Sequence, residues 1–245
     1  MPRILFLLFF PILTMAQVDA NSIQDLFNQE KFIEAETILK SHLKQYPNDV
    51  EAVELLGDAY GHQKKWDEAI ESYQSLIDFD HKNANFHYKY GGVLGMKALS
   101  VSKVRALTLI GDVEEAFVKA AELDANHIDA RWALVEYYMK LPGFLGGGVS
   151  SALPYANQLE MLSKVDGYLA KGFIYESDKE PELAENYYKM AITEGGSLVC
   201  YDKLTKFYLA QDEPEKAILN LKAAYEKHQD ADLLIQIREL ENDKQ

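Results

Sequence analysis

Val53-x2-Leu56-Gly57-x2-Tyr60, followed by Trp66, Ala69, Tyr73 and Leu76, is the stretch that decides the fold. The same offsets recur on either side of it. Ala35, Leu39 and Pro47 lie 34 residues before Ala69, Tyr73 and His81. Towards the C-terminus, Gly172, Tyr175, Ala184, Tyr188 and Ala191 form one unit, and Leu204, Tyr208, Ala217, Leu221 and Ala224 form the next. Middle units are marked by Phe117, Ala120 and Leu123, and by Trp132, Leu134 and Tyr138. Within each unit apolar residues stand three and four apart, as in Ala217, Ile218, Leu221, Ala224 and Tyr225, which is the period of an amphipathic helix. Asn48-Asp49, Gly111-Asp112, Ser177-Asp178 and Asp212-Glu213-Pro214 supply turn and helix-start residues. Pro181 and Pro214 fall where a helix would begin, in the first turn that tolerates proline. No alternating strand pattern of useful length is present.

The unit resembles the tetratricopeptide repeat (TPR), a pair of antiparallel helices repeated along the chain. The resemblance covers most of the chain and implies an all-α, TPR-like right-handed solenoid of about six helical pairs. In that arrangement Gly57 and Ala69 let two helices approach closely, and Tyr60 and Tyr73 fill the space between them. His81 departs from the family, which usually has proline there. Asp230 to Leu240 is expected to be a capping helix, because the last repeat of a solenoid has no neighbour. The run Ser102-Lys103-Val104, Glu114-Glu115-Ala116-Phe117-x2-Ala120-Ala121-Glu122-Leu123-Asp124, and Ala133-Leu134 before Tyr137-Tyr138 partly resembles regulator-of-microtubule-dynamics-type TPR proteins. That likeness implies an irregular TPR scaffold and carries no microtubule role here.

The repeat is interrupted twice, near 97–112 and 141–150. In the first interruption the apolar segment Val101 to Ile110 is expected to add helix. Gly91, Gly92 and Gly95 would each weaken a free helix by about 1 kcal/mol relative to alanine. They make sense either where another helix crosses at short distance or where a ligand lies over bare backbone. The second interruption, Leu141 to Ala152 with Gly146-Gly147-Gly148, lacks the Gly-Lys-Ser/Thr of a phosphate-binding loop. It is expected to be a long turn in which Ser150 or Ser151 caps the next helix and Phe144 and Leu145 tuck back onto the repeat, or else a mobile lip beside a groove.

Met1-Pro2-Arg3, the apolar run Ile4 to Leu13 and Thr14-Met15-Ala16 have the form of a secretory signal peptide cut after Ala16. The domains expected are therefore a cleaved leader, 1–16, and a repeat domain, 17–245. The apolar run is too short for a comfortable membrane span, so no stable membrane insertion is expected after cleavage. The product would be periplasmic in a bacterium and secreted otherwise. With 25 Lys+Arg against 39 Asp+Glu the net charge is −14, which disfavours nucleic acid and anionic lipid surfaces. Cys200 is the sole cysteine, so no internal disulfide and no two-cysteine metal motif can form.

No catalytic motif is found. His42, His62, His81, His87, His127 and His228 make no His-x3-His or His-Glu-x2-His pattern. Cys200 has the setting of a buried small residue, and no Gly-x-Ser-x-Gly elbow occurs. No enzyme activity, metal or cofactor is expected. Carrying the family's groove positions over unit by unit selects Glu51, Glu54, Asp58 and His62; then Asn85, Tyr88 and Met96; Trp132, Glu136 and Met139; Asp166, Phe173 and Glu176; and Asp202 and Lys206. Such a groove is acidic with aromatic and Met anchors, suited to a protein or a basic, amphipathic peptide. It lacks the Lys/Arg pairs that would clamp a peptide's terminal carboxylate. Trp132 and Phe173 serve equally well as core residues. The function expected is an exported, non-catalytic scaffold. The alternative is a carrier of a small apolar ligand, held in a pocket closed by the irregular middle repeats.

Overall fold

The computed structural model describes residues 19–242, so the expected leader lies outside the described residues. They form two compact units that meet between His81 and Lys82. The first contains α1 (Ala20–Asn28), α2 (Phe32–Gln45), α3 (Val50–His62) and α4 (Trp66–Phe79). The second contains α5 (Ala84–Ser100), the single-turn α6 (Lys103–Ala106), α7 (Ile110–Leu123), α8 (Ile128–Lys140), α9 (Val149–Leu162), α10 (Lys164–Ser177), α11 (Pro181–Glu194), α12 (Leu198–Ala210), α13 (Pro214–His228) and α14 (Ala231–Asn242). Successive helices pack as pairs: α1 on α2 and α3 on α4 in the first unit, then α5 on α7, α8 on α9, α10 on α11 and α12 on α13 in the second. We call the first helix of each pair A and the second B.

The two kinds of helix start differently, for local reasons. Five A helices open on a side-chain cap, with Asp19, Asp49, Asn83, His127 and Ser163 each accepting a backbone N–H of the first turn. The B helices have no such cap and instead follow a tight ending of helix A. In four pairs the second residue after helix A is left-handed: Glu30, Lys64, Lys179 and Asp212, with φ between 56° and 64°. The next N–H then reaches back five residues, Lys31 to Leu26, Lys65 to Tyr60, Glu180 to Tyr175 and Glu213 to Tyr208, over 2.8–3.0 Å. This Schellman ending satisfies carbonyls that the helix end would otherwise leave bare.

The pairs are held by a recurring seat. A Cβ built on Gly57 of α3 would lie 2.9 Å from the Tyr73 ring of α4. On Gly91 of α5 it would lie 2.9 Å from Phe117 of α7, and on Gly172 of α10 it would lie 2.5 Å from Tyr188 of α11. Glycine in helix A therefore makes room for an aromatic ring from helix B. In the α8–α9 pair the volumes are exchanged: Val135 sits at the A position and Ala156 on the B helix, both buried in one cluster. The two buried tyrosines also need a partner for their hydroxyls, since an unbonded one would cost about 1–3 kcal/mol. Tyr73 donates to Asp58 at 2.5 Å and Tyr188 to Glu176 at 2.6 Å.

Both irregular segments lie between the A and B helices of their pairs. The stretch expected to be helical from Val101 to Ile110 forms only one turn, α6, and Val104 and Leu107 face solvent. Of the three glycines ahead of it, Gly91 is explained by the Phe117 ring, whereas Gly92 has open space where a Cβ would be. The second segment is a 3-10 turn, Gly143–Leu145, closed by Gly146 and Gly148 at φ 91° and 113°. Two expectations fail there. Phe144 is 87% exposed instead of tucked back, because the turn directs it away from the helices. Neither serine caps α9: Gly148 occupies that position, and the Ser151 hydroxyl donates to the Gly146 carbonyl. At the C-terminus α14 covers α13 as expected, burying Leu233 and Ile237 against Ile218, Leu221 and Ala224. Cys200 is buried beside the Ser197 hydroxyl.

One buried carboxylate locks the first unit. Glu36 of α2 accepts from Lys65 at 2.6 Å, Gln63 at 2.9 Å and Lys40 at 3.2 Å. Burial alone would raise its carboxyl, but the hydrogen bonds from Lys65, Gln63 and Lys40 and the charge of Lys65 outweigh this and hold it below the usual value. A lowered folded value means that the group adds stability above the ordinary carboxylate range and loses it as pH falls through the folded value. The stability difference between the native chain and Glu36→Gln should therefore be constant near neutral pH and shrink on acidification, as read by urea unfolding at stepped pH. The seat makes a second prediction. Gly172→Ala should cost about 1–3 kcal/mol through the displaced Tyr188 ring, whereas Gly92→Ala, with open space, should stabilise α5 by up to about 1 kcal/mol. Paired denaturation curves decide it.

Candidate functional site

In the first unit α1 and α3 border a depression of about 390 Å³ lined by Gln24, Phe27, Asn28, Asp58 and His62. Two of the expected groove residues, Asp58 and His62, come together here. The His62 imidazole is exposed and lies parallel to the Phe32 ring, with centroids 4.3 Å apart and planes at 6°, and is tilted against Phe27 at 5.6 Å. Asp58 is oriented by the Tyr73 hydroxyl, and burial together with that carboxylate pushes the Tyr73 phenol far up. Glu51 is exposed on the first turn of α3 and Glu54 is half-buried one turn on. Gln24, Phe27 and Asn28 were missed from the sequence because α1 carries no repeat signature beyond the four-residue spacing of Ile23 and Phe27.

In the second unit the A helices α5, α8, α10 and α12 carry the other expected residues. Asn85 is exposed in the first turn of α5, in a depression of about 570 Å³ at the starts of α5 and α8. Tyr88 is half-buried, its ring 5.1 Å from His127 and 6.0 Å from Phe117. Burial, then Asp129 and Glu136, raise its phenol. Met96 stands apart, exposed near the end of α5. Trp132 of α8 packs against the core and donates its indole N–H to Asp166 of α10 at 3.1 Å, tying neighbouring A helices together. Met139 and Phe173 are half-buried against the cluster around Val135 and Ile174.

The carboxylates differ in what they face. Asp166 and Glu176 hold neutral donors, the Trp132 indole and the Tyr188 hydroxyl, so their negative charge is oriented without being cancelled. Glu136 pairs with Lys140 at 2.9 Å, and Asp202 pairs with Lys206 at 2.7 Å, each one helical turn apart and solvent-facing. Such exposed pairs contribute little and exchange readily. The face can therefore offer fixed negative charge beside aromatic surface. Among the described residues no three His, Cys, Asp or Glu side chains converge as a metal site.

One feature was not legible in the sequence. Arg131 of α8 is buried, with no carboxylate partner among the described residues: it donates to Gln158 at 3.0 Å and to the carbonyls of Ala121, Asp124 and His127 at 2.9–3.3 Å. Its planar fork collects the carbonyls at the end of α7 and joins α7, α8 and α9.

The repeated A–B geometry agrees with comparisons to known proteins. The TPR repeat family model matches residues 57–97, which span the seat at Gly57 and its partner Tyr73. Residues 57–97 thus carry a tetratricopeptide repeat, and the chain has a TPR-like fold. No curated protein matches it. Among solved structures it is similar to PilW, a type IV pilus biogenesis factor, with a TM-score of 0.60 and 15% identity over 89% of this chain and 95% of that one. It is similar to PilF of Pseudomonas aeruginosa with a TM-score of 0.57 and 14% identity over 91% and 95% of the two chains. A tetratricopeptide repeat protein from Parabacteroides merdae gives 0.58 and 14% over 91% and 84%. At these identities the likeness shows the all-α TPR fold. That fold supports a protein-interaction role in general terms.

Arg131→Met should cost about 2–4 kcal/mol by removing the guanidinium donor from the Ala121, Asp124 and His127 carbonyls and from Gln158. Arg131→Lys should recover only part, because an ammonium cannot reproduce the fork. Urea unfolding followed by helical circular dichroism gives both values.

Proposed function

We propose that this TPR chain is an exported, non-catalytic scaffold that binds a protein, or a basic and amphipathic peptide, on the A-helix faces of its units. The observation that carries this reading is the set of carboxylates held in place by neutral donors. Asp166 and Glu176 keep their charge while Trp132 and Tyr188 fix their direction. Pre-set acceptors beside aromatic surface suit a partner that brings cations and apolar side chains, because little ordering entropy remains to be lost on binding. Export rests on the sequence of residues 1–16, and no described helix is long and apolar enough to cross a membrane. The carrier of a small apolar ligand is less well supported, since Val104, Leu107 and Phe144 of the irregular segments turn outward instead of enclosing a cavity.

The test is a pull-down from envelope extract with the chain purified after expression in full, its N-terminus fixed by intact mass, followed by affinity measurement on the captured partner. Glu51→Lys with Glu136→Lys changes one exposed carboxylate in each unit and touches neither tyrosine bond. We expect the double variant to bind the partner at least about tenfold more weakly, and the native complex to weaken as salt rises. Unchanged affinity would rule out the A-helix faces. A mature chain that does not begin at Gln17 would remove the proposed cleavage.

A further inference from the structure

The acidity of this chain is not uniform. No Asp or Glu occurs between Asp80 and Asp112, although the whole sequence holds 39 of them, and this interval contains Lys82, Lys89, Lys97, Lys103 and Arg105. Its C-terminal part is the end of α5, the turn α6 and the approach to α7, where large apolar side chains stand in water. Leu99 is 68% exposed and Val104 76% exposed, with Met96 and Leu107 exposed beside them in sequence. Lys103 and Arg105 flank Val104 and make no ion pair among the described residues. The other irregular turn comes to the same end of its helix pair. The Tyr137 hydroxyl, near the end of α8, donates to the Ile110 carbonyl at the start of α7 at 3.0 Å. Phe144 projects from the turn that follows α8.

These observations select an occupant. Single exposed apolar side chains are ordinary, but a run of them marks a contact surface, and Met96, Leu99, Val104 and Leu107 follow one another closely in the chain. Lys103 and Arg105, which make no ion pair among the described residues, call for an anionic one. An acidic protein would satisfy the charges, but protein interfaces seat their apolar anchors in pockets, and here Leu99, Val104, Leu107 and Phe144 project from turns and helix ends. Projecting apolar tips with basic neighbours are what an interfacial membrane contact requires, where the tips enter the acyl boundary and the cations meet lipid phosphates. The net charge opposes this only if it is spread evenly. At physiological ionic strength charge is screened over about 8 Å, so a bilayer at this edge senses Lys103, Arg105 and the nearby Asp112 and Glu115 more than the distant acidic remainder.

We propose that the α5–α6 prong, together with the Phe144 turn, docks this protein peripherally on an anionic lipid bilayer. Val104, Leu107 and Phe144 enter the interface, and Lys103 and Arg105 pair with lipid phosphates. Of the residues assigned to partner binding only Met96 falls in this surface, so a scaffold could hold its partner and its membrane at once.

The test is co-sedimentation of the full chain with vesicles of phosphatidylglycerol and phosphatidylcholine, and with phosphatidylcholine alone. We expect partition onto the anionic vesicles that is at least about tenfold weaker for Lys103→Glu with Arg105→Glu and for Val104→Asp with Leu107→Asp. All four positions are exposed, and unchanged helical circular dichroism verifies that each variant is folded. Any contribution from Ile4 to Leu13 is common to all the proteins, so a second readout isolates the prong. Leu107→Cys, labelled with an environment-sensitive fluorophore while Cys200 stays buried, should shift its emission to the blue on anionic vesicles. Partition that ignores lipid charge, equal partition of native chain and variants, or no spectral shift at Leu107 would overturn the assignment.

Discussion

Two helices can share an interface at close range only where one gives up side-chain volume for the ring the other inserts. In this chain the exchange is made at Gly57, Gly91 and Gly172, which receive Tyr73, Phe117 and Tyr188. The ring sets the helix spacing, and for the two tyrosines it also brings a hydroxyl into a buried place where it must be bonded. The acceptors, Asp58 and Glu176, come from the A helix of the same pair. A requirement of the core therefore fixes the direction of carboxylates on the helices that carry the candidate binding face. Packing and recognition are joined through one hydrogen bond in each of these pairs.

The same reasoning orders the charged groups by how firmly a local cation holds them. Glu136 and Asp202 have lysines one turn away. Glu36 is committed to Lys65, Gln63 and Lys40 inside the first unit. Asp166 faces an indole N–H, which orients it without neutralising it. Composition alone gave an acidic protein; hydrogen-bond partners show which acidic groups keep their field.

The repeat was legible because its signal is volume at fixed spacing. Gly57, Tyr60, Ala69 and Tyr73 announce both the helical period and the close approach, and six pairs with a terminal cap follow from their recurrence. The irregular segments were less legible. Val101 to Ile110 has apolar residues at helical spacing, but periodicity cannot say whether a neighbour exists to cover them, and here α6 is one turn with its side chains in water. Phe144 misled for the same reason. Arg131 was invisible because, apart from Gln158, its acceptors are backbone carbonyls, which leave no mark in a sequence. The groove positions came from family register; the structure brings Asp58 and His62 to one depression, joins Trp132 to Asp166 and leaves Met96 on its own.

The four Schellman endings have a converse in the two pairs that lack one. There the chain carries either α6 or the Gly143–Leu145 turn between helices A and B, yet Phe117 still reaches Gly91 and Val135 still meets Ala156. The extra residues leave and re-enter the repeat at the same end of a pair, so the packing within that pair is kept. Such sites act as permissive ports. Lineages can lengthen, charge or grease them while the seats remain untouched, so new surface chemistry can evolve on this fold without first renegotiating its stability.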